Sequence, residues 1–145
     1  MTKLSKSIEI EASPEKVFSF INDTEKMNKA HGGFTKGEYT SKGPVGVGTI
    51  VHMVGTHGGS KTEWDMEVTE FVKNKKVTTH TDKPSKMTNS LILEPTDKGT
   101  KLTHSMEYEL PYSILGKVID KLKVSRDVKK ELNIWLPNAK KALEE

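Results

Sequence analysis

The feature of this 145-residue sequence that most constrains its fold is a change of hydrophobic period at Pro111. Between residues 34 and 110, strand-like segments alternate apolar and polar residues, most clearly at 62–71 and 101–110. After Pro111, apolar residues recur at helical spacing as far as Leu143. A sheet with one apolar face needs a cover, and the stripe on the C-terminal helix can supply it. The sequence therefore predicts an antiparallel sheet packed against a long C-terminal helix.

The N-terminal part of the chain adds one strand and two short helices. Residues 7–11 alternate and predict the first strand. Ser13 can cap a helix that starts at Pro14, and Asp23 can cap a second one that ends at 31–33. We expect a single α+β domain over residues 1–145, in which a curved antiparallel sheet of about six to seven strands wraps around the last helix.

Pro137 lies inside the predicted C-terminal helix. A proline there removes one backbone hydrogen bond and clashes with the carbonyl of Asn133, at a cost of about 3 kcal/mol. We therefore expect a kink or break near Trp135. A second irregularity is expected near Val124 and Ser125.

Composition excludes several classes of protein. The chain contains no cysteine, so disulfides, thiolate nucleophiles and cysteine metal sites are excluded. The N-terminus has no apolar signal core, and no stretch approaches the roughly 20 apolar residues of a membrane span. These observations favour a soluble, cytoplasmic protein.

The net charge of +3 is small, and the excess lies on the segment after residue 112. Its basic residues are interleaved with Asp120, Asp127 and Glu131, which favours a solvated helix face and argues against nucleic acid. We expect at most transient contact with a membrane surface, and a monomer or weak dimer.

An ordered set of short motifs spans the chain. They occupy residues 8–18, 43–49, 64–70, 99–103, 108–111 and 138–144. Together they resemble the SRPBCC superfamily, which includes START lipid-transfer domains, birch pollen allergen-type proteins, polyketide cyclase/dehydrase-like proteins and coenzyme Q-binding proteins. The resemblance implies the helix-grip fold, with a ligand cavity between the sheet and the C-terminal helix. It carries over no catalytic residue and no cofactor.

The inward faces of the predicted sheet and helix supply the candidate cavity wall. These candidates are Trp64, Met66, Val68, His104, Met106, Tyr108, Leu115, Ile119, Leu132 and Trp135. Trp135 suits the wall or the core equally well. His104 lies among apolar neighbours, so it is either a hydrogen-bonded core residue or a ligand contact. If the ligand is modified, His104 is the candidate acid or base, and Tyr108 can donate a hydrogen bond to a ligand carbonyl.

Other constellations have simpler interpretations. The glycines of 46–48 run into a strand, which favours a hairpin loop over a phosphate loop. His52 and His57 are five residues apart, so they do not share a strand face, and we predict no metal site. We interpret His31 and His57 as loop residues and His80 as exposed. The acidic residues 63, 65 and 67 share the predicted outward face.

Three functional hypotheses follow. The first is a binding or transport protein for a small hydrophobic molecule such as a lipid, an isoprenoid or quinone, or a polyketide-like compound. The second is a cyclase or dehydratase that acts on such a molecule, and the role of His104 distinguishes it from the first. The third is a chaperone-activator-like interaction module that docks through residues 117–141.

Overall fold

The computed structural model describes residues 2–33, 35–57, 60–83, 85–109 and 118–145, and for residues 57, 60 and 118–124 it describes the backbone alone. The elements in chain order are β1 (Thr2–Ile10), α1 (Pro14–Ile21), α2 (Thr24–Ala30), β2 (Thr35–Tyr39), β3 (Ile50–His57), β4 (Ser60–Val72), β5 (Lys76–Thr81), β6 (Met87–Pro95), β7 (Thr100–Tyr108) and α3 (Val118–Glu144). The described strands form one antiparallel sheet in the order β1-β7-β6-β5-β4-β3-β2. The sheet is curved, and with the long α3 it forms the predicted helix-grip fold.

Both short helices begin at the predicted caps. The Ser13 side chain accepts a hydrogen bond from the backbone N–H of Lys16, and Pro14 occupies the first turn. The Asp23 carboxylate accepts one from the backbone N–H of Lys26. Each cap satisfies an N–H group that the first helical turn leaves without a partner.

Two loops that connect neighbouring strands contain glycines and make close backbone contacts with other parts of the chain. Gly46 and Gly48 lie in the loop between β2 and β3, as predicted, and Gly48 has a φ of 94°. Its N–H donates to the carbonyl of Val68, which fixes the loop against β4. Gly99 lies in the turn between β6 and β7, where the backbone of Ala12 approaches closely.

The core lies where α1 and α3 pack against the β1 side of the sheet. Its fully buried large side chains include Ile10, Val17, Leu102, Trp135 and Leu136. These come from β1 and α1 near the N-terminus and from β7 and α3 in the second half of the chain. Burial of these apolar surfaces is the main force that holds α3 on the sheet.

Two local features differ from the sequence predictions, since α3 has no break and His57 lies in a strand. The helix α3 continues without a break through Val124, Ser125 and Pro137. Pro137 is on the exposed side, whereas Leu136 and Ala139 beside it are fully buried, so packing holds the helix despite the missing N–H. A bend near Trp135 stays a prediction. His57 is the last residue of β3, paired with residue 60, and therefore not in a loop.

Candidate functional site

A cavity of about 490 Å³ lies between the concave face of the sheet and the helices. Strands β2 to β7 contribute their inward-facing side chains to it. Helices α1 and α2 close one side, and α3 contributes three described residues, Val128, Glu131 and Trp135. The volume lies within the range of roughly 300–1,000 Å³ that is typical of small-molecule sites.

Seven of the candidate wall residues line this cavity. They are Trp64, Met66, Val68, His104, Met106, Tyr108 and Trp135. Leu132 is buried in the core cluster with Leu136. Leu115 and the side chain of Ile119 lie outside the described residues. Strict alternation on β4 and β7 explains why the strand residues could be placed from sequence.

Methionine is concentrated at the cavity. The chain has six methionines, and the five after Met1 all line the cavity: Met27, Met53, Met66, Met87 and Met106. Thioether side chains are flexible and polarisable, and they make favourable contacts with aromatic rings. The wall can therefore adapt to ligands of different outline.

His104 is held by two hydrogen bonds within the cavity wall. The indole N–H of Trp135 donates to Nδ1 of His104 over 3.1 Å. An indole nitrogen can only donate, so Nδ1 carries no proton and the proton is on Nε2. Nε2 in turn donates to Oδ1 of Asn89 over 2.9 Å. Both ring nitrogens of His104 are thus engaged by other side chains.

The protonation state of His104 follows from its surroundings. The residue is 8% exposed. Burial, and to a smaller extent the charge of His31, lowers the pKa of His104 from 6.5 to about 3. The imidazole is therefore neutral at pH 7, which agrees with the acceptor role of Nδ1. A proton transfer by His104 would require one of its two hydrogen bonds to break first.

A polar group lies on the cavity wall where α2, β2 and α3 meet. The hydroxyl of Thr35 donates to Oε1 of Glu131 over 2.7 Å. Nε2 of His31 lies 3.7 Å from the same oxygen. The ring of His31 also stacks on Trp135, with centroids 5.4 Å apart and an interplanar angle of 10°.

Sequence reasoning missed this group. Glu131 lies four residues before Trp135, so helical spacing places both on one face of α3, and this signal could have found it. His31 follows α2 as its C-cap residue, and Thr35 starts β2. Their meeting with Glu131 depends on the packing of three elements, which no local pattern encodes.

A second set of polar contacts holds α2 on the edge strand β2. The side chain of Asn28 accepts from the N–H of Gly37 over 2.7 Å and donates to its carbonyl over 3.1 Å. The hydroxyl of Tyr39 donates to the carbonyl of Asn22 over 2.8 Å. Burial, together with the charge of Asp23, raises the pKa of Tyr39, so the phenol remains a donor at neutral pH.

Two histidines lie on the outward face of the sheet. Nδ1 of His52 lies 2.8 Å from Asp65 and Nε2 lies 3.4 Å from Glu63, and these hydrogen bonds raise the pKa of His52. His80 is partly exposed and lies 2.9 Å from Asp82. Within the described residues no group of three or more potential ligands could hold a metal ion.

One protein family matches the chain over nearly its whole length. The family model for polyketide cyclase/dehydrase and lipid transport proteins matches residues 1–144. The chain belongs to this family. No curated protein matches the chain. In its described part, no helix of this family member combines the length and apolarity needed to cross a membrane.

Solved structures of the same fold are distant in sequence. TTHA0849 from Thermus thermophilus is 19% identical, with a TM-score of 0.82 over 98% of this chain and 97% of that one. Ara h 8.0201 is 16% identical, with a TM-score of 0.68 over 98% and 97%. The di-domain ARO/CYC protein BexL from the BE-7585A biosynthetic pathway is 14% identical, with a TM-score of 0.80 over 99% of this chain and 50% of that one. These likenesses show the helix-grip fold.

Proposed function

We propose that this domain binds a small hydrophobic molecule in the cavity between the sheet and α3. The observation that carries the proposal is the cavity of about 490 Å³ with its five methionines and two tryptophans. Apolar surface that leaves water on binding contributes about 25 cal/mol per Å² before the costs of association. The chemical class is a lipid, an isoprenoid or quinone, or a polyketide-like compound.

The wall of the cavity supports a binding role. Polar side chains among the described lining residues are mainly hydroxyls and amides, such as Thr62, Thr79, Thr81 and Asn89. A few placed polar groups in an apolar wall orient a ligand without preventing its burial. The indole N–H of Trp64 is buried and has no hydrogen-bond partner among the described residues. Such a donor suits an acceptor brought by the ligand.

The alternative is a cyclase or dehydratase, which rests on the family description and the likeness to BexL. In this alternative His104 supplies the acid or base, and Tyr108 donates a hydrogen bond to a ligand carbonyl. Both ring nitrogens of His104 already bond to Trp135 and Asn89, and its low pKa makes it a poor base at pH 7. These contacts favour binding over catalysis by His104.

Titration with the neutral fluorescent probe N-phenyl-1-naphthylamine tests the binding proposal. Met66 and Glu67 are consecutive on β4, and their side chains point to opposite faces of the sheet. The variant Met66→Trp places an indole in the cavity, and we expect it to weaken probe binding by on the order of tenfold, because it takes the volume the probe needs. The matched variant Glu67→Trp adds the same group outside and should bind as the wild type does.

Circular dichroism melting of each variant shows whether it is folded. If Met66→Trp does not fold, Met87→Trp on β6 serves the same purpose. Saturable binding that is equal in the inward and outward variants would place the probe elsewhere and contradict the proposal. Native mass spectrometry of the purified protein, followed by extraction, identifies any organic molecule that it carries.

A further inference from the structure

The carboxylate of Glu131 is a polar group on the wall of a mainly apolar cavity. Its side chain is 24% exposed, and Oε1 already accepts a hydrogen bond from Thr35. Thr35 itself is 5% exposed, so this bond is sheltered from water. Among the described residues, no hydrogen bond reaches the second oxygen, Oε2.

The neighbours of Glu131 fix its position. Nδ1 of His31 lies 2.9 Å from the carbonyl of Met27, which can only accept, so Nδ1 carries a proton. Nε2 of His31 faces the carboxylate and lies 3.7 Å from Oε1. The face of this ring rests on Trp135, which is fully buried and bonded to His104. Three elements thus hold one acceptor in place at the cavity wall.

A ligand that fills the cavity removes water from this carboxylate. An ionised or polar group that loses water without gaining a new hydrogen bond is strongly disfavoured. A ligand with a hydroxyl at the matching position replaces the lost bond, whereas a purely apolar ligand does not. Sites built around a polar group therefore reject analogues that lack the complementary hydroxyl.

We propose that the cavity selects apolar ring compounds that carry a hydroxyl group, and that Glu131, positioned by Thr35 and His31, accepts the hydrogen of that hydroxyl. This inference rests on the proposed function, since it assigns the ligand class of the same cavity. It places the polar end of the ligand beside α2 and β2 and its apolar body along the methionines of the sheet.

A pair of naphthalenes tests the inference by isothermal titration calorimetry at pH 7. The first is 2-naphthol, which carries a hydroxyl, and the second is 2-methoxynaphthalene, in which a methyl group replaces the hydrogen. Hydrophobicity alone favours the methyl ether. We expect the wild-type protein to bind 2-naphthol more tightly, by on the order of tenfold.

The variant Glu131→Gln should lose most of this preference, because the neutral amide is a weaker acceptor than a carboxylate. Thr35→Val, which removes the hydroxyl that holds Oε1, should reduce it as well. Glu67, a carboxylate on the outward face of β4, provides the matched control, and Glu67→Gln should retain the wild-type preference.

Equal binding of the two compounds by the wild type, or tighter binding of the ether, overturns the inference and leaves the proposed function standing. A preference that survives in both Glu131→Gln and Thr35→Val also overturns it. If neither naphthalene binds, the inference fails. If N-phenyl-1-naphthylamine also does not bind, the proposed function fails with it.

Discussion

At the scale of single residues, His104 links the sheet to the helix. Its two hydrogen bonds join Asn89 on β6, His104 on β7 and Trp135 on α3. Loss of the imidazole leaves the buried indole N–H of Trp135 without a partner, which costs about 1–3 kcal/mol, and also removes the partner of the partly buried Asn89. The sequence placed His104 on the inward face, but the two partners come from positions 15 before and 31 after it. The choice between a core residue and a ligand contact therefore could not be made from alternation alone.

Stability should depend on pH through His104. Its pKa is 6.5 when unfolded and about 3 when folded, so the unfolded state binds more protons between these values. Its contribution to the free energy of unfolding is complete above pH 6.5. This contribution falls by up to about 1.4 kcal/mol per pH unit as the pH drops toward 3.

Urea unfolding of wild type and His104→Gln at several pH values measures this effect. The variant should be less stable at pH 7, and its stability should fall less steeply below pH 6.5 because the titrating group is gone. Val47→Gln, which introduces the same residue at an exposed site and changes no titratable group, should keep the wild-type pH dependence. If the free energy of unfolding of His104→Gln varied with pH as steeply as that of the wild type, the low pKa of His104 in the folded state would be refuted.

At the scale of elements, the turn between β6 and β7 anchors the sheet beneath the start of α1. The hydroxyl of Thr100 donates to the carbonyl of Ala12 over 2.8 Å, and both residues are buried. Gly99 brings its backbone against the same segment. The sequence predicts a turn at 96–99 from its composition, but the contact with Ala12 joins residues that are distant along the chain.

Replacement of Gly99 by Ala should destabilise the contact between the β6–β7 turn and the segment that precedes α1. A Cβ at Gly99 would overlap the carbonyl oxygen of Ile10 and lie 2.7 Å from the nitrogen of Ala12. Both are backbone atoms that cannot move aside, so we expect a loss of about 1–3 kcal/mol in the free energy of unfolding. Gly46→Ala is the control, because nothing lies within 4 Å of its added Cβ. Chemical denaturation that gives equal stabilities for the two variants would contradict the clash.

At the scale of the whole molecule, the cavity couples binding to stability. A ligand that binds the folded state alone raises the free energy of unfolding by about 2.7 kcal/mol at a concentration of 100 times Kd. We expect N-phenyl-1-naphthylamine to raise the melting temperature of the wild type accordingly and to have little effect on Met66→Trp. Differential scanning calorimetry at several probe concentrations measures the shift. A melting temperature that is independent of the probe in the wild type would argue against a ligand inside the fold.

The sequence by itself determined the elements and the inward face of the sheet. The two helix caps, the alternation of β4 and β7 and the helical stripe of α3 are local patterns, and period and capping act within a few residues. They were enough to predict a sheet wrapped around the last helix and the candidate cavity residues on β4 and β7. The helix α3 continues through Pro137 because the cost of this proline is local, whereas the packing of Leu136 and Ala139 that offsets it is tertiary.

The tertiary structure alone decided the chemistry of the cavity wall. The packing of the elements places His104 within hydrogen-bond distance of Asn89 and Trp135. It also brings His31 and Thr35 to Oε1 of Glu131. These partners are separated by up to 100 residues, and hydrogen bonds act over about 3 Å. Only the packing of α2 and α3 against the sheet brings such distant groups within that range.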